Sequence, residues 1–122
     1  MSKITCLLLT TCLMMTQSHT YANEETGREI LDTCLSEQQA LSGNPVKSVR
    51  YGLCLGYLKG IADTLNGSHF CLPQTGETVM ITQTLKQIYI RYALNHNRLL
   101  DKPALQTIIP AFKKTFPCNK TR

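Results

Sequence analysis

Apolar residues recur at three- and four-residue spacings in four segments of the chain, which is the periodicity of amphipathic helices. The segments cover about residues 24–41, 45–65, 78–96 and 102–115. In the first segment, Ile30, Cys34 and Leu41 share one face. No segment shows the strict alternation of a half-buried strand. The pattern therefore predicts an all-α fold, a small bundle of about four helices.

The boundaries of these segments carry recognisable helix signals. Ser42-Gly43-Asn44-Pro45 separates the first two segments, with Asn44 as the N-cap and Pro45 in the first turn. Asn66-Gly67-Ser68 ends the second segment. Asp101 is the expected N-cap of the fourth. Pro110 lies inside that segment and should kink it, because proline removes one backbone donor.

The second segment combines an apolar stripe with a strip of glycines. The stripe consists of Val49, Leu53, Tyr57 and Ile61. Gly52, Gly56 and Gly60 recur every four residues, so they share a face. Each helix-interior glycine costs roughly 1 kcal/mol relative to alanine, which indicates a close backbone neighbour. We expect that neighbour to be the first helix, and a second subunit is the alternative.

The first 22 residues have the three-part pattern of a secretory signal peptide. Lys3 supplies the positive charge, residues 4–15 are uncharged, and Thr20-Tyr21-Ala22 is the expected cleavage site. This apolar run is too short to span a bilayer core of about 30 Å. We expect residues 23–122 to form a single periplasmic domain that is free of the membrane. The alternatives are an N-terminal membrane anchor and a lipoprotein site at Cys12, but the apolar run continues past that cysteine.

Four cysteines remain in the expected mature chain, namely Cys34, Cys54, Cys71 and Cys118. An even number in a small exported chain predicts two disulfides, for which three connectivities are possible. If the first two helices form an antiparallel hairpin turning at Asn44, then Cys34 and Cys54 lie at the same height. Cys71 and Cys118 would then flank one end of a second hairpin. Such bridges would stabilise the bundle by roughly 3 and 4 kcal/mol on the loop-entropy model.

The charge of the expected mature chain is basic and unevenly distributed. Without Lys3 the chain has 12 Lys and Arg against 8 acids, and five of those acids precede residue 38. A basic surface can bind nucleic acid, an anionic membrane or an acidic protein. Export argues against nucleic acid, and no dense basic run with interleaved aromatics is present. We therefore interpret the bases as scattered over solvated helix faces.

The sequence offers no residue pattern typical of an active site. His69 near Cys71 is the one proximity of histidine and cysteine, and the Cys71-Leu72-Pro73 context favours a disulfide cysteine. Asp63 and Glu77 are isolated acids, and no metal-type cluster of cysteines or histidines is visible. We expect a protein that is not an enzyme and needs no cofactor or metal.

The segment from Cys54 to Asp63 places two glycines, a tyrosine and an aspartate at short fixed spacings after a cysteine. This segment resembles the core C-x-G-Y-[IL]-x-G-[IV]-x-D of the Tai family, the immunity proteins of type VI secretion amidases. The positions that match this core are Cys54, Gly56, Tyr57, Leu58, Gly60, Ile61 and Asp63. Phe70-Cys71-Leu72-Pro73 is similar to the element F-C-x-P, and Phe116-Pro117-Cys118 to the terminal F-P-C.

The resemblance extends over about residues 30–118. Val79, Thr82-Gln83 and Leu85 look like the family's third-helix pattern, and Cys34 fits its first-helix cysteine. Pro110 departs from the family's uninterrupted last helix. The two prolines that belong to the matching elements are Pro73 and Pro117.

The resemblance implies a periplasmic helical homodimer that binds and occludes the active-site cleft of a peptidoglycan amidase. Its partner would be that cognate effector, injected by neighbouring bacteria. No motif marks the inhibitory loop, so we select loops by position and side-chain type, at about residues 66–70 and 95–100. The candidate contact residues are Asn66, Ser68, His69, Phe70, His96 and Arg98.

Two functions of other classes stay open at this point. One is a periplasmic acid-stress chaperone of similar helical size, which should unfold partly at low pH and hold diverse clients. Two bridges across the bundle argue against easy unfolding. The other is a small enzyme or ligand carrier. Capture of one defined partner from periplasm, as opposed to many clients, would separate these functions.

Overall fold

The computed structural model describes residues 24–74 and 78–119, without the side chains of residues 78–80. The expected signal peptide, residues 1–22, lies outside the described residues. The α-helices are α1 (Gly27–Cys34), α2 (Glu37–Leu41), α3 (Pro45–Leu65), α4 (Thr78–Leu94) and α5 (Leu105–Thr115), with a 3₁₀ helix at Asn97–Leu99. Within these ranges the only extended pairings are two isolated bridges, Thr26–Pro103 and Asn66–Phe70. The all-α prediction is confirmed.

Two disulfides join the helices in the predicted pairs. Cys34 at the end of α1 bonds Cys54 in the middle of α3, with the Cα atoms 5.0 Å apart. Cys71, which follows α3, bonds Cys118, which follows α5, with a Cα separation of 4.8 Å. The first bridge is buried and the second is exposed. The first bridge therefore joins α1 and α3 at one height, and the second closes one end of the α4–α5 hairpin, as the sequence indicates.

The first predicted helix is broken into two, which corrects the expectation of one helix over residues 24–41. Thr26 caps α1 and forms a capping box with Glu29, so α1 begins only at Gly27. After Cys34 the chain turns at Leu35, and α2 starts at Glu37. The buried Ser36 hydroxyl donates to the Asp32 carbonyl, a bond that favours bending of a helix.

Helices α4 and α5 agree with the predicted segments, but the loop between them differs from the prediction. Helix α4 ends at Leu94, and α5 begins at Leu105 with Ala104 at its N-cap. The expectation that Asp101 caps this helix is wrong, because its carboxylate pairs with Arg28 at 2.9 Å. Pro110 lies within the continuous helix α5 and does not end it.

One hydrophobic core joins all the long helices. Its fully buried large side chains include Leu58 from α3, Leu85 and Tyr89 from α4, and Phe112 from α5. The Tyr89 hydroxyl donates to the Gly27 carbonyl at 2.6 Å, and burial raises its pKa far above the usual value. This bond fixes the start of α1 against the middle of α4.

The glycine strip of α3 faces open space, which corrects the expectation that the first helix packs on it. A Cβ built on Gly52, Gly56 or Gly60 would meet nothing within 4 Å. The bulky residues that precede the strip on the same side of the helix are also exposed. We call Val46, Val49, Leu53, Gly56 and Gly60 the outer stripe of α3. The core is contacted instead by Cys54, Leu58, Ile61 and Ala62.

A buried lysine holds α2 against α3 and α4. Lys86 is 3% exposed, and its ammonium donates to the Glu37 carboxylate at 2.5 Å and to the Tyr51 hydroxyl at 3.2 Å. Tyr51 in turn donates to Glu37 at 2.8 Å. These hydrogen bonds from Lys86 and Tyr51 lower the pKa of Glu37. Burial alone would lower the pKa of Lys86, but its bonds to Glu37 and Tyr51 outweigh burial and raise it.

Replacing Glu37 with glutamine should destabilise the fold by about 1–3 kcal/mol at pH 7, because the buried Lys86 charge loses its counter-ion. The folded-state pKa of Glu37 is depressed, so its contribution is present above about pH 4.3 and is lost as the pH falls through the lower folded-state pKa. Urea denaturation at pH 7 and pH 3 measures both effects, and Glu37→Gln should show the weaker acid dependence.

The matched control is the double variant Glu37→Gln/Lys86→Met, which removes both charges and keeps an apolar side chain of similar length. It should recover most of the lost stability, since an unpaired buried charge costs more than no charge. Equal destabilisation of the single and double variants would show that the ion pair does not hold α2.

Candidate partner-binding surfaces

The residues that could carry catalysis are engaged in structural contacts. All four cysteines of the described ranges are disulfide-bonded, so Cys71 offers no thiolate to His69. His69 Nδ1 lies 3.0 Å from the hydroxyl of its neighbour Ser68. No group of three potential metal-ligating side chains occurs among residues 24–74 and 78–119. Over the same ranges, no helix is both long and apolar enough to cross a membrane.

The loop between α3 and α4 is held in one shape by its own hydrogen bonds. The Asn66 side-chain oxygen accepts from the Leu72 amide at 2.8 Å, and the Gly67 amide donates to the Phe70 carbonyl at 2.7 Å. Gly67 has a φ of 85°, a conformation that glycine adopts without strain. Ser68 and His69 are exposed at the tip. Ser68 and His69 are therefore presented to solvent at the tip of a hydrogen-bonded turn.

Phe70 is not available to a partner, which removes it from the candidate contacts. Its side chain is fully buried and meets Phe112 edge-to-face, with ring centroids 5.3 Å apart. The next residue, Cys71, donates its amide to the Phe116 carbonyl at 2.8 Å and is tied to Cys118. Phe70 therefore anchors the loop in the core. The candidate Asn66 is exposed, but its side chain is used in closing the loop.

The second candidate loop, between α4 and α5, packs on the start of α1. The Gly27 amide donates to Lys102 and the Arg28 amide to Leu100, and Ala104 donates to Glu25. The His96 ring stacks on Tyr92 with centroids 3.8 Å apart, and its Nδ1 lies 2.7 Å from the Tyr92 carbonyl. His96 is half-buried by this stacking, whereas Arg98 is exposed.

His96 also lines a cleft between α4 and α5 with a volume of about 380 Å³. Its lining residues are Ile88, Arg91, Tyr92, Asn95, His96, Ala111, Lys114 and Thr115. Two of them are cations and none is an acid. Ion pairs in the described part of the chain use Arg28, Lys59 and Lys86, so Arg91 and Lys114 are unpaired there. The cleft is thus a site with a mixed apolar and polar lining and an uncompensated positive charge.

The sequence identified His96 but not the rest of this cleft. Arg91 and Lys114 lie in the last turns of α4 and α5, where cations are common because they offset the helix dipole. Nothing in the sequence marks them as lining one cavity, because that depends on how the two helices pack. The interpretation of the basic residues as scattered over the helix faces therefore misses this pair of cations in one cleft.

The residues of the motif between Cys54 and Asp63, and the two motif prolines, differ in their surroundings. Asp63 is exposed and pairs with Lys59 one turn earlier, at 2.5 Å. Tyr57 is half-buried, and burial together with the charges of Glu24 and Glu25 raises its pKa. Gly56 and Gly60 belong to the outer stripe. Pro73 and Pro117 are exposed and each lies close in sequence to a cysteine of the Cys71–Cys118 bridge.

Comparison with known protein families identifies the family of the chain. The family model of the Rap1a immunity proteins matches residues 26–118. The chain belongs to the Rap1a immunity protein family. This family is one of type VI secretion immunity proteins. The match covers every described helix, both disulfides and both candidate loops.

No curated protein and no solved structure matches the chain. Membership in the Rap1a family agrees with the immunity function that the Tai-like motifs imply and with a cognate effector protein as the partner. The Tai assignment and the amidase activity of the effector stay predictions.

The anchoring role of Phe70 predicts opposite results for two adjacent residues. Phe70→Ala should destabilise the fold by about 3–5 kcal/mol, because it leaves a cavity beside Phe112. His69→Ala should change stability by less than about 0.5 kcal/mol, because its side chain is exposed. Thermal unfolding of both variants measures the difference, and similar unfolding midpoints would contradict the assignment of Phe70 to the core.

Proposed function

We propose that this protein is a periplasmic immunity protein that occludes the active site of a peptidoglycan amidase delivered by type VI secretion. The observation that carries the proposal is the Rap1a family match over residues 26–118. The amidase is supported by the Tai-like motifs, from Cys34 to Cys118. We also propose that the protein is a homodimer, as those motifs imply.

The disulfides and the N-terminal pattern support the periplasmic location. Paired cysteines persist in oxidising compartments such as the bacterial periplasm. Both bridges of the described chain have a native geometry that needs no rearrangement of the helices. Peptidoglycan lies in the same compartment, so an inhibitor of its cleavage must act there.

We assign effector contact to the cationic cleft and the adjacent loop at residues 95–100. Arg91, His96 and Lys114 line the cleft, and the exposed Arg98 lies on the loop. Unpaired cations in the cleft favour a partner that presents acidic side chains, and they speed association by electrostatic attraction. The loop at residues 66–70 is the second candidate, through Ser68 and His69.

The acid-stress chaperone is the alternative that one observation favours. Val46, Val49 and Leu53 are each more than 60% exposed, and such a surface could hold unfolded clients. A chaperone of this kind must open at low pH, whereas the Cys34–Cys54 bridge joins α1 to α3 within the core. The family match and this staple both favour immunity.

The purified protein should abolish peptidoglycan cleavage by the amidase encoded beside its gene when the two are mixed at near-equimolar ratio. Unrelated amidases should stay active. Affinity in the nanomolar range, on the order of −12 kcal/mol, is expected, since a protective inhibitor must stay bound. Failure to bind that amidase, together with suppression of acid aggregation of many proteins, would favour the chaperone.

Two adjacent lysines provide matched variants for the contact surface. Lys114 lines the cleft, whereas Lys113 is exposed outside it. Lys114→Glu should slow association with the effector on the order of tenfold at low salt, and Lys113→Glu should have a much smaller effect although it changes the net charge equally. Equal effects would mean that only the overall charge matters, and no effect of either would move the contact to residues 66–70.

A further inference from the structure

The outer stripe of α3 has the spacing of a helix-to-helix contact. Val46, Val49, Leu53, Gly56 and Gly60 follow one another at intervals of three, four, three and four residues. This is the repeat that places residues along the seam between two packed helices. Val46, Val49 and Leu53 are 67%, 64% and 64% exposed, so no other element of the described chain covers them. A helix that is apolar on opposite sides is normally buried on both.

The two halves of the outer stripe have complementary shapes. The N-terminal half projects the bulky side chains of Val46, Val49 and Leu53. The C-terminal half has no side chain at Gly56 and Gly60, and a Cβ there would meet no atom within 4 Å. Two cavities of about 280 and 420 Å³ lie along this half, and Gly56 and Tyr57 line both. Their walls are mostly apolar side chains from α1, α3 and α5.

We propose that the outer stripe binds the outer stripe of a second copy of this chain, with the two α3 helices antiparallel and the two-fold axis at Leu53. Val46 and Gly60 are equally far from Leu53 in sequence, so each valine would enter the hollow beside the other copy's Gly60. Val49 would likewise lie beside Tyr57 and Gly56 of the second copy. The Leu53 side chains of the two copies would meet on the axis.

Self-complementarity selects a second copy over a foreign partner. An interface with two-fold symmetry requires that each projecting residue has its own receptor on the same surface, at the symmetric distance from the axis. The outer stripe meets this requirement on a single helix. A foreign partner needs no such relation between the bulky and the hollow halves of α3.

The charges beside the outer stripe agree with the same arrangement. Arg50 lies three residues before Leu53 and makes no ion pair within residues 24–74 and 78–119. The two-fold axis would bring it level with Gly56 and Tyr57 of the second copy. Glu25 lines the cavity at that level, and the charges of Glu24 and Glu25 act on Tyr57. Arg50 would therefore face two acids that also have no ion pair in the described chain.

The inference rests on the homodimer of the proposed function but not on the identity of the effector. Leu53→Cys tests it, using protein purified from the periplasm. Mild oxidation should yield a covalent dimer that reductant dissolves, because only a residue close to the two-fold axis meets itself. Leu94→Cys, another exposed leucine, on α4, is the matched control and should not cross-link. Intact mass must show that Cys34–Cys54 and Cys71–Cys118 are retained.

Gly56→Leu and Leu53→Asp supply a second readout, the mass in solution by light scattering. Both side chains point into open space in one chain, so folding should be kept, as circular dichroism checks. Both variants should run at monomer mass at concentrations where the unaltered protein is a dimer. A dimer that persists in both variants and does not cross-link through the introduced thiol overturns the interface alone. A monomeric unaltered protein overturns the interface and the homodimer, while inhibition of the amidase remains a separate measurement.

Discussion

Helix α3 carries apolar residues on two opposite faces, and the rest of the molecule is arranged around that constraint. The inner face places Cys54, Leu58 and Ile61 in the core, where the Cys34–Cys54 bridge fixes α1 against it. The buried Lys86 then holds α2 and α4 to the same helix through Glu37 and Tyr51. The outer face, with Val46, Val49 and Leu53, is exposed. One helix thus organises the fold and supplies the surface on which a second copy is proposed to bind.

Local signals account for the parts of the fold that the sequence predicts well. Asn44 caps α3 by accepting from the Lys47 amide, and the disulfide pairs follow from where the hairpins turn. Periodicity shows which residues share a face but not which face meets the core. Val49 and Leu53 share the predicted apolar stripe of the second segment with the buried Ile61, yet both are exposed. Glu37, the first residue of α2, pairs with the distant Lys86, and no local pattern reveals that contact.

In the candidate site too, the sequence predicts where the residues lie but not which way their side chains point. The sequence places loops at residues 66–70 and 95–100, but packing decides which side chains reach solvent. Phe70 turns inward onto Phe112, and His69 beside it turns outward. The cationic cleft exists only because α4 and α5 bring Arg91 and Lys114 together. For an inhibitor, rigid loops are an advantage, since little conformational entropy is lost when they enter a partner's cleft.

Helix α3 is proposed both to hold the core of one chain and to join two copies. The stability of the fold should therefore depend on dimerisation. The most direct measurement is the midpoint of thermal unfolding at protein concentrations from about 1 to about 100 µM, since a dimer that dissociates on unfolding is stabilised by mass action. The account predicts a midpoint that rises steadily with concentration. A midpoint that is independent of concentration, for a reversible transition, would contradict it.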